Sequence, residues 1–173
     1  MARWLAVSLA AAVLCVTGCT RVSGDAERER RIAAEQRAIQ EYSEKIPEVD
    51  KLQERFLVEW RKANEIRDLK AFKDALEAQV LPALDAYLAT LKLLPARTEQ
   101  LAAIHGVMVT AYTDAVAAFR TFVAGLTNDN VEARYRVLLD TMDAVGAAEQ
   151  AYREKLETYY ADNRVKLVTG TSE

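Results

Sequence analysis

The stock of residues able to do chemistry in this chain is small. Among 173 residues there is one histidine, His105, and there are two cysteines, Cys15 and Cys19. Zinc and other transition-metal sites draw on several His or Cys ligands, which this inventory does not supply. Di-iron bundles place a Glu three residues before a His on each of two helices, but Ala102 holds that place before His105. No Gly-x-Ser-x-Gly elbow, phosphate loop, dinucleotide Gly-x-Gly-x-x-Gly or haem-attaching Cys-x-x-Cys-His occurs. The expectation is no metal, no cofactor and no enzymatic activity. His105 falls one turn past Leu101, at the rim of an apolar stripe, where a half-buried structural histidine is the plain reading. Carboxylates are plentiful, yet nearly all fall on polar helical faces or at caps. Glu149 is the exception, on an apolar seam between Val145 and Tyr152, where it is either partly buried or snorkels to water.

Cys19 stands out for its place. Arg3 is the only charge among residues 1–18, and Trp4 to Val16 is an apolar run of about 13 residues. A basic start, a short apolar core and a small-residue exit describe a secretory leader, and the run is shorter than the roughly 20 residues of a spanning helix. The exit, Val16-Thr17-Gly18-Cys19, resembles the lipobox of bacterial lipoproteins. The resemblance covers the leader alone. It implies a type II signal peptide at residues 1–18, diacylglycerol on the Cys19 thiol and a fatty acyl group such as palmitate on the new amino terminus. Two or more chains anchor stably, where one binds reversibly. In many such lipoproteins an Asp after the cysteine retains the protein in the inner membrane, so Thr20 points to the outer membrane, on its periplasmic or outer face. Cys15 leaves with the leader and Cys19 is consumed by lipid. The mature domain then holds together by packing, without disulfides.

Composition narrows the rest. The net charge is −3, and losing Arg3 with the leader takes it to −4. No basic stripe dominates, which argues against nucleic acid. Hydrophobic residues make up 51%, with six glycines and three prolines, which argues against disorder and against a β sandwich. The size left after the leader suits one domain with one core.

Periodicity supplies the elements. Residues 19–24 read as the lipidated cysteine and a polar tether of about 17 Å when extended, with Ser23 or Asp25 capping a first helix to about Lys45. That helix is charge-rich, with Glu27–Arg31 and Glu41–Lys45 at i,i+4 spacing and a thin stripe of Ile32, Ile39, Tyr42 and Ile46. It reads as an edge helix or stalk packed loosely beside the bundle. Pro47 opens a second helix with Val49, Leu52, Phe56, Trp60 and Ala63 inward. Asp68 caps a third, with Leu69, Phe72, Leu76, Val80, Leu84, Tyr87, Leu91 and Leu94 on one side and a kink expected near Val80–Pro82. Thr98 caps a fourth helix that Gly125 stops, and Asp129 with Glu132 has capping-box spacing before a fifth that ends near Asn163. Residues 164–173 read as a loose tail. Gly106 and Gly146 are interior glycines that either permit close helix crossing or mark tolerance without function. The architecture expected is all-α: an up-and-down bundle of three or four long antiparallel helices with coiled-coil-like periodicity over 25–163, plus the charged N-terminal helix.

Two functional readings follow. One is a membrane-anchored, non-enzymatic envelope protein that serves as a structural or partner-docking module, with helix 25–45 facing an envelope protein partner. The other is a periplasmic binder of a small apolar ligand between helices 98–124 and 130–162. Its candidate lining is Met108, Tyr112, Phe119, Tyr135, Met142, Glu149 and Tyr152. At this spacing the same side chains also read as ordinary core.

Overall fold

The computed structural model describes residues 19–166, with side chains from residue 24 onward. Residues 1–18, on which the expected leader and lipobox fall, and residues 167–173 of the expected tail lie outside the described residues. The elements are α1 (Cys19–Ser43), α2 (Ile46–Asn64), α3 (Leu69–Ala75), a π turn (Leu76–Val80), α4 (Leu81–Leu91), α5 (Glu99–Ala124) and α6 (Val131–Asp162). The fold is an all-α helical bundle, with no strand among the described residues.

Side-chain pairs give the directions. Thr98 meets Tyr159, Tyr112 meets Glu149 and Phe122 meets Tyr135, so α5 and α6 are antiparallel. Tyr87 meets Tyr112 and Asp85 meets Arg120, so α4 also runs against α5. Along α6, Tyr159 and Tyr152 face Glu35 and Tyr42 of α1, while Glu149 and Tyr135 face Gln53 and Asn64 of α2. α1 and α2 therefore follow one another along the same partner. The 32 residues of α6, about 48 Å at 1.5 Å each, span both.

This corrects the reading of the first helix as a loose stalk. Glu27 to Arg31 are exposed, but Ile32, Ala38, Ile39 and Tyr42 are buried, Tyr42 completely. Glu41 pairs with Arg97 across the bundle at 2.7 Å, and Glu29 with Arg164. The expected tether is also helical: α1 begins at Cys19, ahead of both Ser23 and Asp25. Five helical residues advance only about 7.5 Å.

Two prolines set the interruptions. Pro47 has no N–H, and its ring clashes with the carbonyl four residues back, which belongs to Ser43, the last residue of α1. The chain turns through Glu44 and Lys45 and restarts with Pro47 in the first turn of α2. Pro82 would disturb the carbonyl of Ala78 in the same way. The expected kink takes the form of the π turn, in which the Leu81 N–H reaches the Leu76 carbonyl, a known source of helix bends.

Asp68 and Thr98 cap as expected, accepting from the Ala71 and Leu101 amides at 2.8 and 3.3 Å. The start of α6 differs. Asn130, not Asp129, is the N-cap, and its side chain serves the loop, accepting from Thr127 N and donating to the Gly125 carbonyl. Gly125 ends α5 at φ −103, outside the left-handed region. The guanidinium of Arg134 occupies the space a Cβ would need there. Around Gly106 and Gly146 a Cβ would meet nothing within 4 Å, so neither glycine is needed for helix crossing.

α5 is the central helix. It is long and apolar enough to cross a membrane by composition, but its stripe, from Leu101 through Tyr112 to Val123, is buried in the bundle. At the α2–α3 end the core is aromatic: Phe119 contacts Phe56 at 5.8 Å and Trp60 at 5.0 Å, and Trp60 stacks on Tyr135.

Candidate functional site

At the opposite end the core becomes polar and opens. Where α1 stops and α2 begins, the bundle leaves a cleft of about 470 Å³ between that junction, α4 and α6. Ile46, Val49, Leu91, Leu94, Met108 and Leu156 form its apolar surface, and Tyr87, Tyr152 and Tyr160 its aromatic surface. Gln53 and Glu149 lie within it, and Asp50 and Arg153 are exposed members of the lining. The volume falls in the range of small-molecule sites.

Glu149 is the polar centre. Its Oε1 accepts from the Tyr112 hydroxyl and from Gln53 Nε2, each at 2.5 Å, and Gln53 Nε2 also donates to the Tyr112 oxygen at 2.9 Å. Its Oε2 has only Arg153 Nη2 near, at 4.0 Å, on a side chain that is 71% exposed against 24% for Glu149. That distance is a loose ion pair, not a hydrogen bond.

Behind the cleft wall runs a second set of bonds. The Tyr42 hydroxyl lies 2.9 Å from that of Tyr152 and 3.0 Å from His105 Nδ1. Ser43 and Tyr160 share a hydrogen bond at 2.8 Å. His105 is buried, not half-buried as its rim position suggests, and Nε2 has no hydrogen-bond partner. Burial lowers its pKa, and the Leu91 backbone carbonyl opposes that shift without making a well-aligned bond. Burial raises the tyrosines, Tyr152 to about 12 and Tyr42, Tyr87 and Tyr112 further, so these hydroxyls stay protonated. Asp50, though exposed, is also raised by the protein mass beside it.

Of the seven candidate lining residues, Met108, Glu149 and Tyr152 line this cleft, and Tyr112 stands behind Glu149. Phe119 and Tyr135 belong to the aromatic cluster at the other end, and Met142 packs against the core outside the cleft. The expected location between α5 and α6 is therefore corrected. The cleft lies between α6, α4 and the α1–α2 junction, and α5 contributes only Met108. Grooves along the α5–α6 seam contain none of the seven. Asp50, Gln53 and Tyr87 were not among the candidates. Gln53 carried a signal, because Val49, Gln53, Phe56, Trp60 and Ala63 form a helical stripe that it interrupts, as Glu149 interrupts its own.

The arrangement offers a hydrogen-bond acceptor at the end of an apolar recess. Among the described residues no group of three or more His, Cys, Asp or Glu is placed to hold a metal ion. The fold and cleft define an all-α bundle with a side-opening pocket. No family model matches the chain, and neither curated proteins nor solved structures include a significant match.

Proposed function

We propose that this is a lipid-anchored cell-envelope protein, attached through Cys19 to the outer membrane, whose bundle binds and does not catalyse. The observation that carries the reading is Val16-Thr17-Gly18-Cys19 at the end of a basic and then apolar leader. Helical backbone from Cys19 supports it: about 20 Å of helix separates the anchor from Ile32, the first buried side chain among those described. Residues 24–31 of it are exposed and mostly charged, and give an envelope protein partner a face to dock on. The test is Cys19→Ala followed by fractionation and intact-mass analysis. The wild type partitions with membranes and carries acyl mass, whereas the variant is released. An unmodified thiol on the exported wild type refutes the reading.

A specific observation favours the ligand-binding reading over docking alone: the open cleft, which a purely structural bundle has no need to keep. We place a small, largely apolar molecule there. A neutral probe such as phenylbutanol should bind the wild type and fail to bind Leu156→Trp, which fills the recess. Equal binding to both refutes the cleft as the site.

A further inference from the structure

The cleft is not neutral, and its charge selects among apolar ligands. Its charged lining is Asp50, Glu149 and Arg153, two acids and one base. The base is far more solvated than Glu149 and lies too far from it for a hydrogen bond. The Glu149 carboxylate is fixed from behind by Tyr112 and Gln53, both on Oε1. Those two donors hold the acid in place and leave its other oxygen without a hydrogen bond. An anion entering the recess would meet Glu149 and Asp50. A neutral molecule would leave Oε2 and its charge unanswered in a partly desolvated place.

The tyrosines point the same way. The hydroxyls of Tyr152 and Tyr160 are bound internally, to Tyr42 and Ser43. Tyr87 is buried against Tyr112, ring centroids 4.5 Å apart. What Tyr152 and Tyr160 have left for a ligand is ring, and aromatic rings attract cations. The apolar surface of Leu91, Leu94, Met108 and Leu156 suits a hydrocarbon body.

We propose that the cleft binds an organic cation with an apolar body, an alkyl or aryl amine, with its ammonium on Glu149 Oε2 and its hydrocarbon along α4 and α6. This rests on the ligand-binding reading above and adds the chemical class. A charge-assisted bond of this kind corresponds to roughly a 10- to 100-fold difference in affinity.

The test uses the mature lipidated protein in nanodiscs, titrated calorimetrically against empty nanodiscs with three probes of matched skeleton: phenylbutylamine, phenylbutanol and phenylbutyrate. The amine should bind roughly 10- to 100-fold tighter than the alcohol. Glu149→Gln, which keeps an acceptor for Tyr112, should erase that preference while leaving alcohol binding in place. Arg153→Ala changes only an exposed side chain and so avoids doubt about folding; it should tighten amine binding by about 2- to 5-fold. If the alcohol or the carboxylate binds as well as the amine, and Leu156→Trp abolishes that binding, the cation assignment falls and the ligand cleft stands. If no probe binds, both fall. If Glu149→Gln keeps the amine preference, or Arg153→Ala weakens amine binding, Glu149 is not the recognition group and the proposal is overturned.

Discussion

His105 is the only histidine in the chain, so stability just below neutral pH reports largely on one group. In the unfolded chain its imidazole titrates near 6.5, and in the fold burial lowers that value. Between the two, the unfolded chain takes up a proton that the folded one refuses. Stability is therefore fully present above about 6.5 and is lost as pH falls through that value toward the lowered one. A single proton gives at most about 1.4 kcal/mol per pH unit. The cost has a structural source: the ring is buried, with Nδ1 engaged with Tyr42 and Nε2 making no hydrogen bond. Asp50 works in the opposite direction, because its raised pKa makes the folded state the better proton binder above the ordinary carboxylate value of 3.8; measurements are therefore best kept above about pH 5.5. Urea unfolding followed by circular dichroism, from about pH 7.5 to 5.5, should show the wild type losing stability by up to about 1.4 kcal/mol for the pH unit below 6.5. His105→Asn places an amide oxygen near the position of Nδ1 and should be flat over the same range. A variant with the wild-type slope, or a wild type that gains stability on acidification, refutes this account of the buried imidazole.

Two further predictions concern packing. Phe119 is fully buried between Phe56 and Trp60, so Phe119→Ala should cost about 3–5 kcal/mol in urea unfolding; a loss below about 1 kcal/mol would mean that end of the bundle collapses around the cavity. Gly146 is exposed in the middle of α6, and a Cβ there meets nothing. Gly146→Ala should stabilise by up to about 1 kcal/mol and raise the melting temperature by roughly 2–4 °C, and a lower melting temperature would show that the position needs its glycine.

The helices were legible because their apolar spacing was regular, and two caps because Asp68 and Thr98 precede clean starts. The π turn had a signal in the intervals. Phe72, Leu76, Val80 and Leu84 recur every fourth residue, and each step of four overshoots a full turn by about 40°. Three such steps drift about 120°, so the stripe stays on one face only if an extra residue is absorbed, and the π turn absorbs it. What the sequence could not disclose was which helix pair would part. Tyr112, Phe119, Tyr135 and Met142 share apolar stripes on α5 and α6, and nothing in their spacing separates the closed end from the open one. The separation comes from Pro47, whose local effect is to stop α1. Its tertiary effect depends on α6 being long enough to run past the break. The packing of α1 is hidden in the sequence for a related reason. Its average polarity hides a sharp change at Ile32, after which Ala38, Ile39 and Tyr42 are core.

The two ends of the bundle show two ways of filling the same space. Around Phe56 and Phe119 the core is closed with rings and aliphatic side chains. Around Tyr42, Tyr112 and Tyr152 the chain instead uses hydroxyls, an imidazole, an amide and a carboxylate, and leaves a cleft beside them. Phenylalanine at these tyrosine positions would keep the ring and spare the hydroxyl its desolvation. Buried polar networks are a source of fold stability only when fully satisfied, and this one leaves His105 Nε2 unpartnered and Glu149 Oε2 without a hydrogen bond. A departure from the apolar solution at one end only, beside an opening, is where local rules of folding give way to function. Because Tyr152 both lines the cleft and bonds the Tyr42 hydroxyl behind it, a ligand contacting that wall also bears on the hydrogen bonds that hold α1 to α5 and α6. Occupancy of the cleft and the seating of α1 thus meet at the Tyr152–Tyr42 hydroxyl pair.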